Sequence, residues 1–158
     1  MHRIGYGEDI HRLVVGRRLV LAGIEIPYEK GLLGHSDADV VCHALSDALL
    51  GALALGDIGV HFPDSDKHYE NADSTLLLAH VVSLIANNDY KIVNVDVTIS
   101  LEKPRIAPYI IAMRQKLSSI LAVDVNVISI KAMSNEGLDA VGRGEACRAV
   151  AVVLLSKE

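Results

Sequence analysis

The 158-residue sequence has no tryptophan, one phenylalanine and two cysteines. With so few aromatics the core must be aliphatic, and an apolar content of 51% supplies it. A chain of this size hides roughly 70% of the surface its unfolded form exposes. One domain covering residues 1–158 is therefore expected. Cys42 and Cys147 are too few for a disulfide framework and suit a reducing compartment. Long apolar runs are missing too. The run from Ala48 to Gly56 lies between Asp47 and Asp57 and is far too short to cross a bilayer. Met1 to Gly5 lacks the apolar segment of a secretory leader. A soluble, cytoplasmic protein without a membrane partner is expected. Basic residues are in deficit, 15 Lys/Arg against 20 Asp/Glu, a net of −5. That balance argues against nucleic acid as a partner, which calls for a basic face.

The charge is unevenly divided. Residues 1–80 hold 6 Lys/Arg, 12 Asp/Glu and all 7 histidines, a net of −6; residues 81–158 hold 9 and 8, a net of +1. Potential metal ligands are concentrated in the first half.

Short strands are expected over 3–8 and 17–26. Gly31, Gly34 and His35 to Asp37 form a loop, and Ser36 or Asp37 caps a helix. Val40, Val41, Ala44, Leu45, Ala48, Leu49 and Ala52 give that helix one apolar face. A second helix follows Asp73 or Ser74 and runs to about Asn87. Lys91 to Leu101 alternates as a strand, with Val93, Val95, Val97 and Ile99 on one face. Pro108 opens a third helix that ends near Leu121. Strands over Val125–Met133 and Ala146–Leu155 flank a loop with three glycines. The order ββααβαββ predicts one mixed α/β (α+β) layer domain, a mixed sheet with helices packed on one face.

In an extended segment residues two apart share a face, so Asp9 and His11 can converge on one cation. An aspartate and an imidazole suit zinc or a similar divalent ion. His43 lies near the apolar face of the first helix, where it is either a satisfied core histidine or a third ligand. Three protein ligands leave a fourth position open, the mark of a catalytic site. Asp39 and Asp47 share the His43 face, Asp47 reading as a solvated residue. Cys42 lies about 100° round the helix and belongs to the core. Downstream, Ser134, Asn135, Glu136 and Gly137 offer a hydroxyl, loop amides and a carboxylate, either a phosphate and hard-cation site or an ordinary polar loop.

Taken in order, several segments carry a resemblance. They are Gly5-Tyr6-Gly7-Glu8-Asp9-Ile10-His11, Ile26-Pro27-Tyr28-Glu29-Lys30-Gly31, His35-Ser36-Asp37-Ala38-Asp39 and His43-Ala44-Leu45-Ser46-Asp47. Leu55-Gly56-Asp57-Ile58-Gly59, Phe62-Pro63-Asp64, Asn94-Val95-Asp96-Val97 and Gly142-Arg143-Gly144-Glu145 continue it. Over nearly its whole length the chain resembles the family of 2-C-methyl-D-erythritol 2,4-cyclodiphosphate synthases of non-mevalonate isoprenoid synthesis. The resemblance implies a homotrimer with active sites between subunits. It implies conversion of 4-diphosphocytidyl-2-C-methyl-D-erythritol 2-phosphate to the cyclic 2,4-diphosphate and CMP. It makes Asp9, His11 and His43 the ligands of one Zn2+ and Glu136 the holder of Mg2+ or Mn2+. His35 and Ser134 take the positions that act on the phosphates in the transition state. His35, Ser36, Asp57, Ile58, Gly59 and the segment Phe62, Pro63, Asp64, Ser65, Asp66 line the methylerythritol phosphate pocket. Leu101, Pro104, Arg105, Ile106 and Ala107, with Met133, Ser134, Asn135 and Glu136, hold the cytidine diphosphate part. Relatives line an axial isoprenoid diphosphate cavity with the region of Ala140 and Arg143. Here Glu8 replaces a common phenylalanine, and Leu138-Asp139-Ala140-Val141 a common Leu-Gly-Phe-Thr.

The implied chemistry needs no protein nucleophile. Two unit charges 4 Å apart repel by about 4 kcal/mol at an effective dielectric near 20, so bringing phosphates together calls for cations and positioning. Two other readings suit the same residues: a zinc phosphohydrolase using metal-bound hydroxide, and a noncatalytic trimeric module for nucleotides or isoprenoid diphosphates.

Overall fold

Alternation of buried and exposed side chains along the strands sets how the layers stack. The computed structural model describes residues 1–158. Its strands are β1 His2–Val15, β2 Leu19–Leu21, β3 Ile24–Ile26, β4 Lys30–Leu33, β5 Lys91–Ser100, β6 Ile128–Met133 and β7 Ala146–Ser156. Its helices are α1 Val40–Ala52, α2 Ile58–His61, α3 Ser74–Asn87, α4 Ile110–Leu121 and α5 Asp139–Gly142. Five strands form one sheet in the order β4-β1-β7-β5-β6, in which only β5 and β6 are parallel, and β2 and β3 pair separately. The mixed α/β layer architecture is as expected.

On β7, Cys147, Ala149, Ala151, Val153 and Leu155 are buried, whereas Val152 between them is 41% exposed. The buried side meets α1, α3 and α4 in a contiguous cluster of 34 apolar residues. The other face of the sheet is open, with Ile4 73%, Tyr6 58% and Ile10 53% exposed. Helix α1 packs unusually close to β1 because Gly5 and Gly7 lack side chains. A Cβ on Gly7 would stand 2.7 Å from Ala48 N and closer still to the Ala44 carbonyl oxygen.

Several local expectations shift. The first strand runs on through Asp9 and His11 to Val15, because its far half pairs with β4, a strand not expected over Lys30–Leu33. The segment 17–26 is a hairpin broken by positive-φ Ala22 and Gly23. Helix α1 starts after Asp39, not Ser36 or Asp37. The Asp39 carboxylate is fully buried, caps Val41 N and Cys42 N, and also takes Ala22 N at 2.9 Å and Gly23 N at 2.7 Å. It fastens the hairpin turn to the helix N-terminus. Val93 is 37% exposed because a register shift between Ile92 and Asn94 takes it out of the alternation. Strand β6 begins only at Ile128, after a 3-10 turn at Val125–Val127.

Candidate active site

Asp9 and His11 lie on the helix-facing side of β1, the same side as Gly5 and Gly7. The close approach of α1 brings His43 to them. Asp9 Oδ2 is 3.0 Å from His11 Nε2 and 3.0 Å from His43 Nδ1. The three donor atoms lie within 4.8 Å of one another, a group able to hold a metal ion. The far ring nitrogens are already engaged: His11 Nδ1 is 2.8 Å from Leu33 O, and His43 Nε2 is 2.9 Å from Ser74 Oγ. A carbonyl only accepts, so His11 Nδ1 carries the proton and Nε2 presents a lone pair. Lone pairs facing a carboxylate oxygen at 3.0 Å repel unless a proton or a cation lies between them. The donor set therefore fits a divalent cation with two imidazoles and one carboxylate, leaving a fourth position toward the cavity.

The electrostatics agree. Without a metal, burial raises the Asp9 pKa, but protons on the facing ring nitrogens let His11 and His43 hydrogen-bond to the carboxylate and hold it at about 2, the place that a cation takes when bound. The hydrogen bond to Asp9 raises His11 despite burial. Burial pushes both cysteine thiols up, so neither is a thiolate ligand.

The triad opens into a cavity of about 460 Å³. His35, Ser36, Ile58, Gly59, Phe62, Pro63 and Asp64 line it, joined by Tyr69 and Leu77, which were not anticipated. Phe62 packs edge-on against Tyr69 at 5.3 Å between ring centres and against His80 at 5.5 Å, making one wall aromatic. Asp57 does not line the cavity but caps α2, accepting from Val60 N at 3.1 Å. Asp66 likewise caps the turn at Lys67–Tyr69, and Ser65 stands outside the lining. Asp47 is not simply a solvated helix residue. It is partly buried and accepts from Ile58 N at 2.8 Å, which fixes α2 over the cavity, and burial raises its pKa.

The downstream group lies elsewhere. Leu101, Pro104, Arg105, Ile106, Ala107, Met133 to Glu136, Ala140 and Arg143 do not reach the triad cavity. Asp9, Ala149, Ile99 and Ala132 stand side by side across β1, β7, β5 and β6. Three strand spacings put β6 about 14 Å from β1 at the same end of the sheet. Leu101 and Ile106 turn their side chains into the core. The loop amides are not free: Asn135 N and Gly137 N donate to Glu102 Oε1 at 2.7 and 3.3 Å, and Glu136 N to Ser134 Oγ at 3.2 Å. Glu136 has a left-handed backbone, φ 54°. Arg143 pairs with Glu145 at 3.1 Å.

Fold and site together define a mixed α/β protein with a pocket where Asp9, His11 and His43 could hold a metal ion. A sequence model of the YgbB family matches residues 2–156, and the chain belongs to that family. The 2-C-methyl-D-erythritol 2,4-cyclodiphosphate synthase of Chloroherpeton thalassium is 59% identical over 98% of this chain and 99% of its own length. That of Moorella thermoacetica is 56% identical, over 97% and 94%. A solved structure of 2C-methyl-D-erythritol-2,4-cyclodiphosphate synthase in a CDP-bound form has a TM-score of 0.91 at 40% identity, covering 98% of this chain and 100% of that one. The bifunctional IspDF of Campylobacter jejuni superposes with a TM-score of 0.96 at 34% identity; all of this chain matches 43% of that longer one. No helix is long and apolar enough to cross a membrane.

Proposed function

We infer that this chain is a phosphorus–oxygen lyase, a cyclodiphosphate synthase acting as one domain over residues 1–158 in the cytoplasm. It converts 4-diphosphocytidyl-2-C-methyl-D-erythritol 2-phosphate to 2-C-methyl-D-erythritol 2,4-cyclodiphosphate and CMP. The observation that carries the reading is the convergence of Asp9 Oδ2, His11 Nε2 and His43 Nδ1 in the wall of one cavity of a YgbB-family chain.

In the reaction an oxygen of the substrate 2-phosphate forms a bond to the β-phosphorus. The bond from that phosphorus to the oxygen bridging it to the CMP phosphate breaks, and CMP leaves with the electron pair. No water enters. Asp9, His11 and His43 would hold Zn2+ and Glu136 would hold Mg2+ or Mn2+. When bound, these cations neutralise the phosphate charges that would otherwise repel. His35 and Ser36 face the same cavity as the triad and orient the 2-phosphate. Ile58, Gly59, Phe62, Pro63 and Asp64 enclose the methylerythritol unit and exclude water, which favours internal attack over hydrolysis. Asp57 serves this pocket by capping α2.

The cytidine diphosphate part belongs to Leu101, Pro104 to Ala107 and Met133 to Glu136, with Ser134 acting on the phosphates. These stand about 14 Å from the triad within one chain, too far to share one diphosphate. A neighbouring copy would supply that half, which supports a homotrimer with sites between subunits. The open apolar sheet face offers the surface to assemble it. The axial isoprenoid diphosphate cavity would be bounded by this face, where Glu8 accepts from Arg148 and Tyr6, both at 2.9 Å.

Incubation with the cytidylyl substrate and 31P NMR of the products tests the reading. CMP with a cyclic diphosphate is expected; a linear monophosphate product would overturn it in favour of a hydrolase. Metal analysis should give about one zinc per chain in the wild type, lost in His11→Ala and in His43→Ala together with turnover.

A further inference from the structure

One nitrogen of His43 faces the triad; the other is turned into the protein. Nε2 stands 2.9 Å from Ser74 Oγ and 3.2 Å from Ser36 Oγ. Ser74 is fully buried at the first position of α3. Its hydroxyl donates to Asp37 Oδ1, and its backbone N–H donates to Asp37 Oδ2 at 3.1 Å. A carboxylate has no proton to give, so the direction of the chain is fixed. The Ser74 proton goes to Asp37, so Ser74 Oγ turns only lone pairs toward His43, and it can accept the Ser36 hydroxyl proton at 3.4 Å as well. Nε2 must then carry the proton, leaving Nδ1 bare and aimed at Asp9. In the opposite tautomer two lone pairs would meet at 2.9 Å in a buried site.

We propose that Asp37 and Ser74 are positioning residues for the metal centre, a carboxylate–hydroxyl relay that holds His43 as the Nε2–H tautomer with Nδ1 ready to ligate. The proposal rests on the reading of Asp9, His11 and His43 as zinc ligands. For His11 the same task falls to a neutral carbonyl, Leu33 O. The His43 relay ends instead on a charge, which polarises the hydroxyl and makes the imidazole a stronger electron donor. Asp37 is itself held in place, accepting from Asp39 N at 3.2 Å. The relay therefore ties the loop before α1 and the first turn of α3 to one ligand atom on α1.

The test uses zinc itself on the full chain, titrated against a chromophoric chelator. Ser74→Ala should weaken zinc binding roughly 10- to 100-fold, the usual effect of losing an outer-shell partner, and Asp37→Asn should weaken it less. In 15N spectra of the zinc-loaded wild type, the metal should sit on His43 Nδ1, with a slowly exchanging proton on Nε2. That proton should exchange faster in Ser74→Ala. Wild-type affinity and unchanged exchange in Ser74→Ala, with zinc still lost in His43→Ala, would overturn the relay while leaving the triad standing. Zinc on Nε2 in the wild type overturns the relay even if Ser74→Ala does not fold. A wild type that binds no zinc overturns both readings.

Discussion

Gly7 brings His43 to Asp9 and His11, and adding one methyl group there tests how. A Cβ at this position would lie 2.7 Å from Ala48 N and nearer to the Ala44 carbonyl. Ordinary contact is about 3.5 Å, so α1 must withdraw from β1 by about 1 Å in Gly7→Ala. His43 precedes Ala44 on that helix and moves with it, whereas Asp9 stays on β1. Metal sites tolerate about 0.2 Å. Overpacking alone costs roughly 1–3 kcal/mol, and the rigid backbone contact places this case at the upper end. The control is Gly51→Ala on the same helix, where an added Cβ meets only Tyr6 O at 3.9 Å. That change should stabilise by up to about 1 kcal/mol through helix propensity. Urea unfolding in chelator gives the packing cost without metal, and zinc titration gives the ligand displacement. Gly7→Ala with wild-type stability and wild-type zinc affinity would refute the argument that glycine sets the distance between α1 and β1.

Two further outcomes follow from the titrating and loop residues. Hydrogen bonds hold Asp9 down at about 2, so in zinc-free protein its stabilisation of about 2 kcal/mol exists above the unfolded pKa near 4 and is lost as pH falls through about 2. His11 is raised, so its contribution is complete below its unfolded pKa near 6.5 and is lost as pH rises through the folded value. Protons on His11 compete with zinc, so zinc stabilisation should grow with pH over the range where the zinc-free protein weakens. Melting temperatures with zinc and with chelator from pH 5 to 8 should diverge upward, and a constant gap would refute the competition. Separately, Glu102→Ala releases Asn135 N and Gly137 N and should cut turnover roughly 10- to 100-fold without loss of zinc. Glu102→Gln keeps the acceptor and should remain close to wild type in steady-state assays.

The three long helices were legible because each has an apolar face at helical spacing, and the proline or aspartate near its start is a local signal. The division of residues 17–33 was not. Its three short strands depend on Ala22 and Gly23 adopting positive φ and on long-range pairing of β4 with the far half of β1. Periodicity sees neither. Asp39 displaced two better-placed caps because four backbone N–H groups from two segments converge on its carboxylate. The two-residue spacing of Asp9 and His11 was readable as a shared strand face, but the arrival of His43 depended on Gly5 and Gly7. Both glycines stood in the sequence without an evident reason. Ser74 and Glu102 carried no signal for the site, since each acts on residues far away in the chain; Tyr69 and Leu77 enter the cavity only through the packing of their loop and helix.

The charge asymmetry gains a physical meaning from the strand order. The acidic, histidine-rich half supplies β1 and α1, hence the Asp9–His11–His43 group; the neutral half supplies β5, β6, β7 and their loops. The sheet sets the relevant ends of β1 and β6 at the same edge but separates them by β7 and β5. The reach across these strands is about 14 Å, longer than a diphosphate. On the proposed function, the loop that meets the metal centre is therefore the one from a second copy. The aliphatic side chains exposed on β1 and β7 then have a use: buried between copies, they would bring the neutral loop of one chain to the metal centre of the next.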